Sequence, residues 1–402
     1  MENIRCTVTF FHATQSAFLN FLAHRDVPQT KQLNHPDPKG VNRPYGRFFL
    51  PGPVEVRPEV LAAQLQPMTG HRGPDVQAFI GELQTGLKDA FRTERPVFIV
   101  PCSGTGLMEA AIRNGASNRV LSLVNGAFSK RFSSIARQCV LEVDEVSIPW
   151  GEAHDPDQVS TALSVKKYDA VTVAHSETST GVLNDLQMLS EVVHQHEGTL
   201  LLVDSVSGAA GAELQTDLWG LDFVLTGGQK AFSLPPGVSF GVASSSMIER
   251  AEEVGGRGYY FDLVRYSENI EKLQTPTTPA LSTLFALQVQ LRLMAEETME
   301  GRWLRHQKMA ERTWAWVEEM SSSGIRLKVV AAEGHRSPTV TAIQVPDGVS
   351  APSIVDAVKD RGWVIGGGYG KLKPTTFRIG HMGEHTEDEL EGLLSVLAEI
   401  LV

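Results

Sequence analysis

Short apolar runs recur along the chain from residue 96 onward, separated by turns or by segments with helical periodicity. Seven of these runs have the length and near-continuous hydrophobicity of strands that are covered on both faces. They span 96–101, 119–124, 140–148, 169–174, 199–204, 222–226 and 237–243. Helical patterns lie between most of them, for example at 104–114, 127–138 and 185–196. The alternation predicts an α/β fold with a mostly parallel, seven-stranded sheet and helices on both faces.

The connection between the last two runs has no helical pattern and contains Pro235, Pro236 and Gly237. Since parallel neighbours need a long crossover, we expect one strand there to run antiparallel. Further along, two long helices are predicted at 279–297 and 301–321. Strands near 327–332, 339–345 and 375–380 and a helix near 386–401 then complete a smaller C-terminal α+β domain.

The first part of the chain differs from the rest. The stretch 28–44 is rich in proline and polar residues and has no period, which indicates a loose extension. We therefore predict an N-terminal extension over 1–45, a large α/β domain over 46–285 and a small C-terminal domain over 286–402.

Composition and net charge argue against several classes of function. The 402 residues are 42% hydrophobic and 21% charged, and the net charge of −11 argues against a broad nucleic-acid-binding surface. No apolar run reaches the roughly 18–20 residues of a membrane span. Cys6, Cys102 and Cys139 lack metal-ligand spacing and cannot all pair with one another. We expect a reduced, cytoplasmic chain with no metal site, no nucleic-acid partner and no membrane partner.

Two charged residues follow predicted strands at positions suited to catalysis. Lys230 ends the sequence TGGQK, where glycines let the backbone approach a ligand closely. A buried lysine has a depressed pKa and can act as a nucleophile, although a surface lysine is equally compatible with the pattern. Asp204 ends the apolar run LLLVD, at the edge where open α/β sheets bind ligands. It can pair there with a cationic ring nitrogen, or it can cap a helix.

Four further segments offer binding groups at the same edge. The SGTG turn contributes Ser103, Gly104 and Thr105, whose amides and hydroxyls can hold a phosphate, although an ordinary strand-to-helix turn has the same sequence. Phe128 can stack on a ring or belong to the core. HSETSTG at 175–181 supplies several hydroxyls, and its His175 favours a core role. Arg378 in FRIG can grip a carboxylate or remain a surface charge.

Taken in order, these segments resemble the class V aminotransferases, a branch of the fold-type I enzymes that use pyridoxal 5′-phosphate (PLP). The resemblance covers roughly 46–402, and its alanine–glyoxylate and serine–glyoxylate branch is the most similar. The segments are 50–53 (LPGP), 71–72 (HR), 103–106 (SGTG), 175–181 (HSETSTG), 203–205 (VDS), 226–230 (TGGQK), 235–237 (PPG), 257–262 (RGYYFD) and 378–383 (RIGHMG).

The resemblance implies a role for each candidate residue. Lys230 matches the lysine that forms a Schiff base with PLP, and Asp204 matches the partner of the pyridine nitrogen. Arg378 matches the substrate-carboxylate anchor. The remaining matches are to cofactor contacts: Ser103, Gly104 and Thr105 beside the phosphate, Phe128 and Ser179 at the ring, and Gln229 beside the lysine.

The resemblance also implies a homodimer with shared active sites, because Thr277 matches a residue that reaches the partner's phosphate. Three departures stand out. Phe128 replaces a tryptophan, Gln274 replaces a tyrosine of the phosphate-contact segment, and residues 1–45 have no counterpart.

We therefore expect a ping-pong transamination from alanine or serine to glyoxylate or pyruvate. Phosphoserine or an aminophosphonate as substrate, or a PLP lyase, are alternatives within the family. A cysteine desulfurase is disfavoured because no cysteine follows Cys139, and a nucleotide-binding protein is disfavoured because no glycine-rich nucleotide motif follows a predicted strand.

Overall fold

The computed structural model describes residues 44–139 and 141–402. Pro44–Val402 forms one compact unit. The predicted N-terminal extension falls outside the described residues except for Pro44 and Tyr45, so its loose character stays a prediction. No helix in the described part of the chain has the length and apolarity needed to cross a membrane.

The described residues contain fourteen strands and twelve α-helices. The strands are β1 (Phe48–Phe49), β2 (Val97–Val100), β3 (Arg119–Val124), β4 (Glu142–Ser147), β5 (Ala170–Ala174), β6 (Ser176–Glu177), β7 (Val182–Leu183), β8 (Leu200–Asp204), β9 (Phe223–Gly227), β10 (Ser239–Ala243), β11 (Lys328–Val329), β12 (Val340–Gln344), β13 (Val364–Gly367) and β14 (Thr376–Gly380). The helices are α1 (Pro58–Ala63), α2 (Pro74–Phe91), α3 (Gly104–Gly115), α4 (Ala127–Gln138), α5 (Pro156–Val165), α6 (Leu186–Val193), α7 (Ser245–Glu253), α8 (Leu263–Ile270), α9 (Leu281–Glu297), α10 (Met299–Ser322), α11 (Ala351–Asp360) and α12 (Glu387–Leu401).

A seven-stranded sheet forms the centre of the fold, in the order β2-β10-β9-β8-β5-β3-β4. The pairs β3–β4, β3–β5, β5–β8 and β8–β9 are parallel. Every residue of β5, β8, β9 and β10 is buried, as expected when helices cover both faces. The predicted α/β class and mostly parallel sheet are confirmed.

The predicted antiparallel strand is β10. It pairs antiparallel with β9 on one side and with β2 on the other. The connection between β9 and β10 spans only 228–238, and its two ends are joined where the Gly228 amide donates to Val238 O at 2.9 Å. A connection this short cannot carry a crossover helix, which is why the direction reverses here.

A second, five-stranded sheet has the order β1-β13-β14-β12-β11. It packs with α10, α11 and α12 around its own apolar cluster, which includes Trp316, Phe377 and Leu393. Phe48–Phe49 belongs to this sheet by pairing with Val364–Ile365, although the sequence placed residue 46 onward in the large domain. The domain limits otherwise stay a prediction.

Candidate active site

The carboxyl ends of the parallel strands meet at one edge of the central sheet, and the candidate residues follow those ends. Ala174 of β5 lies in register with Asp204 of β8, which in turn lies in register with Leu225 of β9. A cavity opens at this edge. Its lining comprises Ser103, Gly104, Thr105, Met108, Phe128, Arg131, Ser176, Thr178, Asp204, Val206, Ser207, Gln229 and Lys230.

Lys230 is buried at the end of the turn that follows β9. Its ammonium donates a hydrogen bond to Pro51 O. A Cβ added at Gly52 would lie 2.4 Å from Lys230 Nζ, so the glycine permits this close packing. Burial, and secondarily the charge of Arg378, lowers the pKa of Lys230 to about 8. The lysine is therefore not the surface residue that its sequence also allowed.

Asp204 is the last residue of β8 and is buried beside the same cavity. Its Oδ1 accepts a hydrogen bond from Val206 N at 2.9 Å. Burial raises the pKa of Asp204 to about 7; the Val206 amide opposes this rise, and the charge of Glu177 adds to it. No helix begins after Asp204, since turns follow it, so the helix-cap alternative is not supported.

The SGTG segment forms the start of α3. Ser103 is the N-cap residue, but its side chain makes no capping hydrogen bond. A Cβ at Gly104 would lie 2.5 Å from Val206 Cγ2, so only glycine fits at the first turn. Ser103 and Thr105 are exposed at the cavity wall. The hydroxyls and the helix N-terminus thus form a surface suited to an anion.

The first turn of α4 supplies the aromatic wall. Phe128 lines the cavity, and its ring centroid lies 5.1 Å from that of Tyr369. Arg131, one helical turn later, places its Cζ 4.8 Å from the Phe128 ring centroid. The Arg131 guanidinium also donates to Tyr369 Oη at 3.1 Å and to Thr105 Oγ1 at 3.4 Å.

A buried carboxylate fixes that turn. Glu177 is 0% exposed and accepts hydrogen bonds from Ser129 N at 2.8 Å, Phe128 N at 3.1 Å and Ser179 N at 3.1 Å. The hydroxyls of Ser129 and Ser179 donate to it at 2.9 and 2.6 Å. Its charge lies at the positive end of the α4 dipole, where a carboxylate is stabilised.

The geometry does not support the expected ring contact of Ser179. Its hydroxyl donates to Glu177 and accepts from Ala127 N at 3.0 Å, so it is committed to holding α4. The residue that lines the cavity is its neighbour Thr178, whose hydroxyl lies 2.5 Å from Ser207 Oγ.

Arg378 projects from β14 and is half-buried rather than a surface charge. Its Nε donates to Gly367 O at 2.8 Å, and its Nη1 donates to Thr178 O at 3.1 Å. Burial lowers the pKa of Arg378, against the opposing influence of Tyr369 and Glu177. The Arg378 charge acts on Lys230, but the side chain is not among the described residues that line the cavity.

Two other candidates lie away from the cavity lining. Thr277 follows α8 in a segment whose Thr275 O accepts from Arg72 Nη1 at 2.8 Å, and Gln274 belongs to the same segment. His175 is a satisfied core histidine, with its Nδ1 2.9 Å from Ser205 Oγ. Burial lowers the pKa of His175 to about 4.

Four residues of the site were not predicted from the sequence: Arg131, Glu177, Val206 and Tyr369. Two of them had a usable signal. Arg131 lies three positions after Phe128, so a helix starting at 127 puts both on one face. Val206 lies two positions after Asp204.

Within the described residues, no group of three or more His, Cys, Asp or Glu side chains is placed to hold a metal ion.

Comparison with known proteins assigns the chain to a family. A family model described as aminotransferase class-V matches residues 103–383. Serine–glyoxylate aminotransferase of Arabidopsis thaliana is 32% identical over 364 residues, covering 88% of this chain and 90% of the relative. A Synechococcus protein named as the small subunit of a soluble hydrogenase is 34% identical over 360 residues, covering 88% and 92%.

Solved structures agree with the family match. The crystal structure of an alanine–glyoxylate aminotransferase from Nostoc superposes with a TM-score of 0.83 at 31% identity, covering 92% of this chain and 99% of the other. The shared architecture is the fold-type I aminotransferase fold. The family match, the relatives and the edge that carries Lys230 and Asp204 lead to one conclusion: the chain belongs to the class V aminotransferases.

Proposed function

We propose that the protein transfers an amino group from a small amino acid, alanine or serine, to glyoxylate or pyruvate by a ping-pong mechanism with PLP as cofactor. The observation that carries the proposal is the position of Lys230 and Asp204, both buried side chains, in the lining of one cavity. The names of the Arabidopsis and Nostoc proteins support glyoxylate as the acceptor.

The residues of the cavity fit PLP in three respects. Ser103, Gly104 and Thr105 present hydroxyls and helix-terminal amides that would hold the phosphate. Phe128 and Val206 supply apolar walls for a ring. Burial raises the pKa of Asp204, as expected for a carboxylate that lacks a full cationic partner, and a protonated ring nitrogen would be that partner. Thr178 and Gln229 would add polar contacts.

When bound, PLP supplies an electron sink for the bond that breaks at the substrate's α-carbon. Lys230 is the residue that would bind it covalently. With a pKa of about 8, roughly a tenth of the Lys230 amine is neutral at pH 7, far more than for a lysine at its ordinary pKa. After the substrate's amine has displaced it, Lys230 Nζ can take up the proton from the α-carbon and hold it for return.

Asp204 would keep the ring nitrogen of PLP protonated, because it offers a buried carboxylate. Arg378 would bind the carboxylate that the amino acid and the oxo acid share, which orients the α-carbon toward Lys230. The charge of Arg378 also lowers the pKa of Lys230, secondarily to burial.

We further propose that the active form is a homodimer with shared sites. Thr277 is not among the described residues that line the cavity of its own chain, and Ser103 and Thr105 are exposed beside it. Near α1, three large apolar side chains are also exposed: Leu61 at 45%, Leu65 at 76% and Met68 at 69%. Such a patch favours an interface. Analytical ultracentrifugation tests this: a fully active monomer would contradict it.

The attachment site of the cofactor can be tested directly. Borohydride reduction of the yellow protein, followed by peptide mapping, should place the pyridoxyl label on Lys230. Lys88, half-buried in the last turn of α2 and not among the described residues that line the cavity, serves as the control, since its substitution should leave the label in place. A label on any other lysine would overturn the assignment.

The substrates need a second experiment. Alanine, serine, phosphoserine and an aminophosphonate are offered as donors, each with glyoxylate and with pyruvate, and the product oxo acids are quantified. We expect alanine or serine with glyoxylate to give the highest kcat/KM. Preference for a phosphorylated donor, or release of ammonia without transfer, would reject the proposed reaction.

A further inference from the structure

Tyr369 contacts both arginines of the site. The Cζ atom of Arg378 lies 5.5 Å from the centroid of its ring, within the range of a cation–π contact. Its hydroxyl accepts a hydrogen bond from Arg131 Nη2 at 3.1 Å. On the α4 side, its ring packs against Phe128 at 5.1 Å between centroids. One side chain therefore connects the strand that carries Arg378 with the helix that forms the cavity wall.

The backbone around Tyr369 is fixed by its own packing. A Cβ at Gly368 would lie 2.4 Å from Leu372 O and 2.4 Å from Thr376 Oγ1, so this position needs glycine. The Gly368 amide donates to Thr376 O at 2.9 Å, which ties the turn to β14. Gly370 has a φ of +55° and packs against the Trp150 ring. The turn therefore holds Tyr369 at a set position relative to Arg378.

Arg378 needs such support. Its two described hydrogen bonds go to neutral carbonyl oxygens, Gly367 O and Thr178 O. Within the described residues, no carboxylate forms an ion pair with it. A half-buried guanidinium without a carboxylate partner is stabilised by an aromatic face, which leaves hydrogen-bond donors for an incoming anion.

We propose that Tyr369 is a positioning residue for Arg378, whose ring supports the guanidinium so that it meets the substrate carboxylate in a fixed orientation. The hydrogen bond from Arg131 keeps the ring in place. This inference rests on the proposed role of Arg378 as the carboxylate anchor. It adds that the position of the carboxylate anchor Arg378 depends on residues of both the C-terminal sheet and α4.

The test compares substrates with and without a carboxylate in the holoenzyme. Tyr369→Leu removes the ring, and Tyr369→Phe removes only the hydroxyl. We expect Tyr369→Leu to raise KM for alanine and for glyoxylate about tenfold, the order of a partly desolvated cation–π contact, with little change in kcat. The half-reaction with alaninol, an amine without the carboxylate, should be unaffected. Tyr369→Phe should restore both KM values to within about threefold.

Two outcomes would overturn the inference. If Tyr369→Leu slows alaninol as much as alanine, the ring has a general structural role. If it leaves both KM values unchanged, Arg378 does not depend on it. Arg378→Lys separates these failures from failure of the proposed anchor. If that variant also leaves both KM values unchanged, the anchor role itself is wrong, and the inference falls with it.

Discussion

The carboxylate of Glu177 offers a quantitative test of how the site is held together. Its two oxygens accept hydrogen bonds from three backbone amides and two hydroxyls. Glu177→Gln keeps the shape but replaces one oxygen with an NH2 group. In either orientation, that group faces a backbone N–H, either that of Ser129 on the Oε2 side or that of Ser179 on the Oε1 side. A hydroxyl can rotate away from another donor, but an amide cannot.

The cost follows from the burial of these groups. One unsatisfied buried N–H costs roughly 1–3 kcal/mol, and the loss of an ionised acceptor weakens the bonds that remain. We expect the free energy of unfolding to fall by about 2–4 kcal/mol. Because Phe128 lies in the turn that loosens, PLP affinity should fall as well. Chemical denaturation followed by circular dichroism measures the first effect, and fluorescence titration of the apoenzyme with PLP measures the second.

A matched control separates this effect from loss of charge in general. Glu191 is exposed on α6 and accepts a hydrogen bond from Gln187 Nε2 at 3.4 Å. Glu191→Gln should change the free energy of unfolding by less than about 0.5 kcal/mol. If Glu177→Gln fails to fold, Glu177→Asp, which keeps the charge but shortens the reach, should give an intermediate loss. Equal stability of the two glutamine variants would refute the reasoning.

Three further predictions concern the charged groups. Asp204→Asn should retain PLP but lower kcat by about 100- to 1000-fold in single-turnover assays, since an amide cannot hold the ring proton; near-normal turnover would show a structural role. Arg378→Ala should cost roughly 2–5 kcal/mol in both half-reactions, with the spectrum unchanged, and damage to only one would reject a shared anchor. Burial disfavours the charged form of Glu384, but Arg302 outweighs this effect and lowers the pKa of Glu384 from 4.5 to about 2. The ionised Glu384 therefore stabilises the fold above pH 4.5, and this stabilisation is lost as the pH falls toward 2. Glu384→Gln should remove roughly 3 kcal/mol of this acid dependence in pH-resolved denaturation.

The sequence predicted the central sheet well because its strands are buried on both faces. Continuous apolar runs such as 199–204 leave few alternatives, and β8 spans Leu200–Asp204 as expected. The C-terminal sheet was harder to predict. Its strand β1 is two residues long, and its partner β13 lies about 300 residues further along the chain. Neither local periodicity nor composition can predict a pairing between two segments so far apart in the sequence.

The candidate site, like the fold, could be predicted only in part from the sequence. Lys230 and Asp204 could be predicted because Asp204 ends a strongly patterned strand and Lys230 closely follows another, and strand ends converge at one edge. The Ser179 hydrogen bonds to Glu177 and Ala127 could not be predicted, because 176–180 contains four hydroxyl residues around Glu177 and the direction of each side chain depends on the turn. Tyr369 gave no signal at all, since a tyrosine among glycines acquires its role only when the C-terminal sheet packs beside α4.

The charged side chains of the site differ in whether they already have partners, and this difference indicates which of them can bind a ligand. Glu177 is occupied by donors from α4 and from its own turn, so it has little capacity left for a ligand. Asp204 is the carboxylate in the cavity lining, which also contains the cations Lys230 and Arg131, whereas Arg378 is not among the described residues of that lining. Within the described residues, neither arginine forms an ion pair with a carboxylate. This excess of positive charge lowers the pKa of Lys230 beyond the effect of burial, because Arg378 and Arg131 both disfavour its ammonium form. The same excess attracts anions such as a phosphate and an α-carboxylate. One arrangement of cations therefore serves two needs of the proposed reaction, a neutral amine and an anionic substrate held next to it.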